Sequence, residues 1–163
     1  MRFFHLLGLL IILFSGCDQE VKKADLGRAQ TFTLFDTDSV AYSLNDYDSV
    51  LVMVHFWADW CPSCRKEFPK LEQAYKQLKS KGFQILAVNS GQSRNHVLEI
   101  KNSYGLTFPL LVDEEGKTAA MYKVRGLPTT FFVDKKGLIR QTIIGWMEEE
   151  QIIEIFEKLG SKE

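Results

Sequence analysis

The chain has 163 residues, a hydrophobic fraction of 45%, a charged fraction of 25% and a formal net charge of −1. That length favours one domain with a sizeable core, and the charge balance argues against a nucleic-acid binder, which would show a concentrated basic face. Three cysteines are too few for a disulfide scaffold. Two stand close together at 61 and 64 and one stands alone at 17, a division that suggests two separate jobs.

Met1–Arg2 gives a positive start, and Phe3 to Phe14 is almost wholly apolar, broken only by His5 and Gly8. This run is shorter than the roughly 20 residues that span a bilayer, and it suits the apolar region of a secretory signal peptide. It ends in Phe14-Ser15-Gly16-Cys17, which resembles the lipobox of bacterial lipoproteins, with Phe14 where an aliphatic residue is usual. The resemblance implies cleavage before Cys17, a lipid on its thiol, and residence outside the cytoplasm, anchored to the membrane of the cell envelope. The alternatives are an ordinary signal peptide, or an uncleaved anchor with Cys17 incidental. Residues 18–29 are polar, lack periodicity and read as a tether. The expected division is therefore 1–16 signal peptide, 17–29 lipidated tether and 30–163 folded domain.

Thr31–Phe35 and Val40–Leu44 read as short strands joined by the turn Asp36-Thr37-Asp38-Ser39. Val50–Trp57 is a nearly continuous apolar run, as expected of a central, parallel strand covered on both faces. From Pro62 to about Lys81, the recurrence of Phe68, Leu71, Tyr75 and Leu78 predicts a helix with one apolar stripe, and Gly82 ends it. Phe83–Val88 follows as a strand, Ser93–Tyr104 as a helix, Leu110–Val112 as a short strand and Lys117–Tyr122 as a short helix. Thr129–Val133 and Leu138–Ile144 form a hairpin across Asp134-Lys135-Lys136-Gly137. Glu148–Leu159 closes the chain as a helix with Ile152, Ile155, Phe156 and Leu159 on one face. Strands alternating with helices imply an α/β sandwich.

The central strand runs into Trp60-Cys61-Pro62-Ser63-Cys64, where a helix starts. Disulfide exchange is performed by a thiolate, and a helix N-terminus stabilises negative charge through its unpaired N–H groups and dipole. Pro62 suits the first helical position. Cys61 then sits at the cap, outermost and more exposed, and Cys64 lies on the same side of the first turn, giving a nucleophile and a resolving thiol. Haem attachment would need histidine where Arg65 stands. Structural zinc would need two more ligands, and only His55 and His96 remain in the domain. A static disulfide across so short a loop would contribute little. No metal and no cofactor is expected.

Val54-His55-Phe56-Trp57-Ala58-Asp59-Trp60-Cys61-Pro62-Ser63-Cys64, followed by Arg65-Lys66-Glu67-Phe68-Pro69, resembles the active-site region of thioredoxins. The Glu-Phe-Pro ending is closest to the extracytoplasmic TlpA/ResA-like branch. Far downstream, Gly126-Leu127-Pro128-Thr129-Thr130-Phe131-Phe132-Val133-Asp134 is similar to that family's cis-proline segment. The resemblance spans about residues 30–160 and implies a thioredoxin-like fold, a central mixed sheet flanked by helices with extra N-terminal strands. It implies a thiol–disulfide oxidoreductase acting through Cys61 and Cys64. Pro128 would lie against the pair in cis, with Trp60 and Leu127 beside it on a substrate-binding surface. Pro69 would kink the helix.

Glu67 matches an active-site acid of ResA-like proteins; the other reading is a solvent-facing helix glutamate. His55 stands where many thioredoxins have a buried acid. It reads either as a group handling the proton of the second cysteine or as a neutral core histidine. Trp57 and Trp60 are expected to shape the surface around the pair, and His96 to be solvated.

The implied activity is reduction of disulfides in exported proteins, apocytochrome c among them, by a monomer that draws electrons from a membrane thiol carrier and binds no nucleic acid. A redox-inactive peptide-binding module is a second reading. A thiol peroxidase is a third, against which Ala58 stands where a Thr-x-x-Cys-like site would place threonine.

Overall fold

The computed structural model describes residues 26–47 and 51–160, so the expected signal peptide and the expected lipidation at Cys17 lie outside the described residues. In chain order the elements are β1 (Thr33–Phe35), β2 (Ala41–Ser43), β3 (Leu51–Trp57), α1 (Pro62–Leu78), β4 (Phe83–Ser90), α2 (Arg94–Tyr104), β5 (Leu110–Asp113), α3 (Lys117–Met121), β6 (Thr129–Val133), β7 (Ile139–Ile144) and α4 (Glu149–Gly160).

Every residue of β3 is buried, as a continuous apolar run demands of a strand covered on both faces. It pairs in parallel with β4 and antiparallel with β6, at the middle of a five-stranded mixed sheet of order β5-β4-β3-β6-β7. Successive side chains of a strand point to opposite faces, and the core divides accordingly. Leu51, Met53 and Trp57 join a layer with Phe68 and Leu71 of α1 and Ile152 and Ile155 of α4. Val52, Val54 and Phe56 join a second layer with Phe32, Leu44 and Tyr122, under the antiparallel β1–β2 hairpin and the end of α3.

The fold is the thioredoxin-like one, with its extra N-terminal strands present. Most element ends shift by one or two residues from the sequence reading, and three differences bear on the architecture. The helix predicted to reach Lys81 ends at Leu78 and tightens into a 3₁₀ turn over Lys79–Lys81, closed by Gly82 at φ 89°. Such a turn satisfies carbonyls left open at a helix end. β4 extends two residues beyond Val88, to Ser90. The polar segment read as tether is already part of the fold by Leu26: the Ala29 N–H donates to the Gly137 carbonyl at 2.9 Å, and the Ile139 N–H to the Gly27 carbonyl at 2.9 Å. Burial of Ala29 and Phe32 in the second layer accounts for this docking.

Phe68 carries much of the first layer. It is fully buried, edge-on to Trp57 at 4.9 Å between ring centroids and to Tyr104 at 5.2 Å. Phe68→Ala should cost about 3–5 kcal/mol. Urea unfolding should show a lower midpoint at unchanged slope, and a loss below about 1 kcal/mol would be incompatible with this packing.

Candidate active site

β3 ends at Trp57, the chain turns through Ala58-Asp59-Trp60, and Cys61 caps α1 with an extended backbone at φ −91° and ψ 104°. Cys61 and Cys64 form a disulfide with their Cα atoms 5.3 Å apart. The Cys64 N–H donates to Cys61 Sγ at 3.2 Å, and Ser63 Oγ lies 3.4 Å from the same sulfur. The sulfur thus occupies the place a capping oxygen usually takes, where an anion is favoured. Cys61 is the outer of the two, but at 3% exposure against 0% for Cys64 it is less open than its cap position suggested. Trp60 is 69% exposed at the rim. Trp57, expected to shape that rim, is instead fully buried, because it continues the apolar face of β3 inward.

The Leu127–Pro128 peptide is cis. Phe56 pairs with Thr129 across β3 and β6, which sets Pro128 level with Trp57, at the end of the sheet from which the cysteine turn emerges. The Pro128 carbonyl accepts from the Gly145 N–H at 2.9 Å, so the loop after β7 closes over the proline. Leu127 is half-buried and packs on both core layers.

Glu67 is not solvent-facing. It is fully buried, because it follows Cys64 by three residues and precedes Leu71 by four, on the inward side of α1. Its Oε1 accepts from the Met147 N–H at 2.9 Å. His55, also fully buried, is directed to the same layer, with Nδ1 2.9 Å from Thr130 Oγ1. His55 Nε2 and Glu67 Oε2 face each other at 3.8 Å, beyond hydrogen-bond range, and neither has a hydrogen-bond partner among the described residues. Burial pushes His55 down from 6.5 to about 3. It pushes Glu67 up from 4.5 to about 8, the Met147 amide and the Lys70 ammonium offsetting this only in part. Near pH 7 this is a neutral imidazole beside a neutral carboxylic acid.

The sequence reading missed the network behind the cysteine turn. The Asp59 N–H donates to Gln92 Oε1 at 2.7 Å, and Asn89 Nδ2 donates to the same oxygen at 2.8 Å. His96, expected to be solvated, lies with Nε2 2.9 Å from Asp59 Oδ2, and Arg65 Nη1 is 3.7 Å from Asp59 Oδ1. These contacts pin the turn between α1 and the start of α2. Among the described residues no group of three or more His, Cys, Asp or Glu side chains could hold a metal ion.

The profile of the AhpC/TSA family matches residues 27–142. This chain belongs to the AhpC/TSA family. The thiol–disulfide oxidoreductase ResA of Geobacillus kaustophilus (strain HTA426) is 38% identical to it over 124 residues, 76% of this chain and 71% of that protein. The crystal structure of StoA from Bacillus subtilis superposes with a TM-score of 0.69 at 30% identity, covering 77% of this chain and 95% of that one. That of the pneumococcal exposed lipoprotein thioredoxin Etrx1, from Streptococcus pneumoniae strain TIGR4, does so with a TM-score of 0.68 at 33% identity, covering 80% and 100%. With the Cys61–Cys64 pair in place, the chain is a thiol–disulfide oxidoreductase of the thioredoxin family.

The buried pair gives the oxidised protein a particular pH profile. Between pH 3 and 6.5 the folded state holds fewer protons at His55 than the unfolded chain, so this group makes stability rise with pH. Between pH 4.5 and 8 the folded state holds more protons at Glu67, so this group makes stability fall as pH rises. Glu67→Gln should therefore gain in Tm over the parent as pH climbs towards 8, and His55→Asn should gain over it as pH falls below 6.5. Thermal unfolding across this range checks both. A Glu67→Gln curve parallel to the parent would show that Glu67 is not held neutral.

Proposed function

We propose that the enzyme reduces disulfides in exported proteins, with Cys61 as nucleophile and Cys64 as resolving thiol. The observation that carries this is Cys61 Sγ at the cap of α1, accepting the Cys64 amide, with Cys64 fully enclosed behind it. In the reduced enzyme the Cys61 thiolate attacks one sulfur of the substrate disulfide. A Cys61–substrate bond forms, the substrate S–S bond breaks, and the departing sulfur leaves as a thiolate that takes up a proton. Cys64, deprotonated, then attacks Cys61 Sγ, which releases the second substrate sulfur and leaves the Cys61–Cys64 disulfide. Two electrons have passed to the substrate. A membrane dithiol carrier returns them through the reverse exchange.

Glu67 is suited to take the Cys64 proton. Its pKa of about 8 lies near the ordinary thiol value of about 8.5, so transfer between them is close to balanced. The Met147 N–H would keep the acid oriented, with neutral His55 buried beside it. Pro128, which has no N–H to donate, with Leu127 and exposed Trp60, would flank the bound segment. Apocytochrome c, through its Cys-x-x-Cys-His segment, is one proposed substrate. All these groups come from one chain, which suits a monomer.

Lipidation of Cys17 at the outer side of the cytoplasmic membrane, or facing the periplasm, is supported by the leader and by the lipoprotein among the structural relatives. No helix among the described residues is long and apolar enough to cross a membrane.

Four experiments test this reading. Cys64→Ala should accumulate mixed disulfides on Cys61 identifiable by mass spectrometry, and iodoacetamide should modify Cys61 before Cys64; the opposite order would reverse the roles. No cation stands between the cysteines, so the potential should fall below about −180 mV, that of protein disulfide isomerase; a value near −120 mV would mark an oxidase. The full chain expressed in a bacterium with labelled fatty acid should carry the label, and Cys17→Ser should not.

A further inference from the structure

The charge around the disulfide has the opposite sign to that of the whole chain, whose net charge is −1. α1 sets Arg65, Lys66 and Lys70 close behind the pair, and Lys123 and Arg125 precede the cis-proline. The acids nearby are occupied: Asp59 by His96 and Arg65, Glu148 by Lys70. Glu67 is buried and adds no negative charge to the surface near neutral pH. Lys66, Lys123 and Arg125 are exposed, and among the described residues they have no carboxylate partner.

The same rim is apolar. Trp60 is 69% exposed, Ile144 79% and Trp146 40%. Ile144 and Trp146 flank Gly145, whose N–H holds the Pro128 carbonyl. Lys66 Nζ lies 4.9 Å from the centroid of the Trp146 ring and Lys70 Nζ 5.1 Å. The cation–π contact fixes the Lys66 ammonium on the rim, while its three N–H donors can still reach a second acceptor.

Resting on the reductase reading, we propose that this rim selects substrate segments carrying a carboxylate beside the cysteine under attack, with Lys66 and Arg125 as the specificity-determining cations and Trp60 and Trp146 as the apolar platform. Exposed charges of this kind act mainly on encounter and orientation, and salt screens them. The selectivity is therefore kinetic and depends on ionic strength.

The test uses the full-length protein in non-ionic detergent, reduced with dithiothreitol and desalted. It is mixed with three disulfide-bonded peptides, identical except for Asp, Asn or Lys beside the cysteine. At low salt the Asp peptide should be reduced at least about threefold faster than the Asn peptide, and the Lys peptide slowest. The ratios should approach one in about 1 M salt. The double variant Lys66→Gln, Arg125→Gln should lose most of the Asp-to-Asn ratio, whereas Lys81→Gln, in the 3₁₀ turn beyond the far end of α1, should keep it. Equal rates at low salt, or a ratio unchanged in the double variant, would overturn the inference while leaving the reductase reading intact. Failure to reduce any of the peptides or to exchange with glutathione would instead defeat the reductase reading itself.

Discussion

Where β3 gives way to α1, a fully buried strand delivers the chain to a helix start at which a sulfur takes the capping role. Helix N-termini leave donors without partners, and here one of them, the Cys64 N–H, points at Cys61 Sγ. A serine or aspartate cap would satisfy the helix equally well and perform no redox chemistry. With cysteine in the cap, the unmet demand of the helix becomes a standing preference for the thiolate. That preference is only as firm as the junction. β3 is clamped on both edges by β4 and β6, and the turn itself is held by Gln92, His96 and Arg65 through Asp59.

The burial that makes the junction firm also sets the state of Glu67. A carboxylate in this layer would lose its hydration and gain one amide and a Lys70 ammonium at some distance, which does not offset the loss. The neutral acid is the outcome, and His55, held to Thr130 and equally dry, gives no cation to reverse it. An acid that is uncharged at rest, yet within about a pH unit of losing its proton, suits a step in which a buried thiol must ionise. A permanently charged group there would oppose both the packing and the second thiolate.

Much of this could be read from residues alone, and the limits follow from physics. The strands and helices were legible because their apolar periods are strong, and the catalytic pair because a cysteine, a proline and a cysteine at a strand-to-helix junction leave few other uses. The burial of Trp57 was implicit in the alternation Leu51, Met53, His55, Trp57, all directed to one layer. Glu67 was ambiguous because Arg-Lys-Glu is the usual composition of a solvated helix face. Only the spacing to Cys64 and Leu71 places it inside. The contact between His96 and Asp59 spans 37 positions, and no local pattern encodes where the start of α2 meets the cysteine turn. The docking of Leu26–Ala29 on the β6–β7 hairpin depends likewise on backbone pairing that a polar, aperiodic sequence does not announce.

The loop from Gly145 to Met147 joins the two halves of the site. Its first residue donates to the Pro128 carbonyl, its second carries the ring under Lys66 and Lys70, and its third donates to Glu67. A hydrogen bond from an amide to a carboxylate is stronger than one to a neutral acid. The loop is therefore held more tightly when Glu67 has lost its proton than when it carries one. The ring of Trp146 and the backbone against Pro128 belong to that same loop, so the surface available to a bound segment and the protonation of the buried acid share one covalent frame. A change in the charge of Glu67 would reach the rim through these three consecutive residues. This economy depends on glycine at 145, where φ is 106°; a side chain there would be strained in that left-handed backbone, and the loop could not hold all three contacts unchanged.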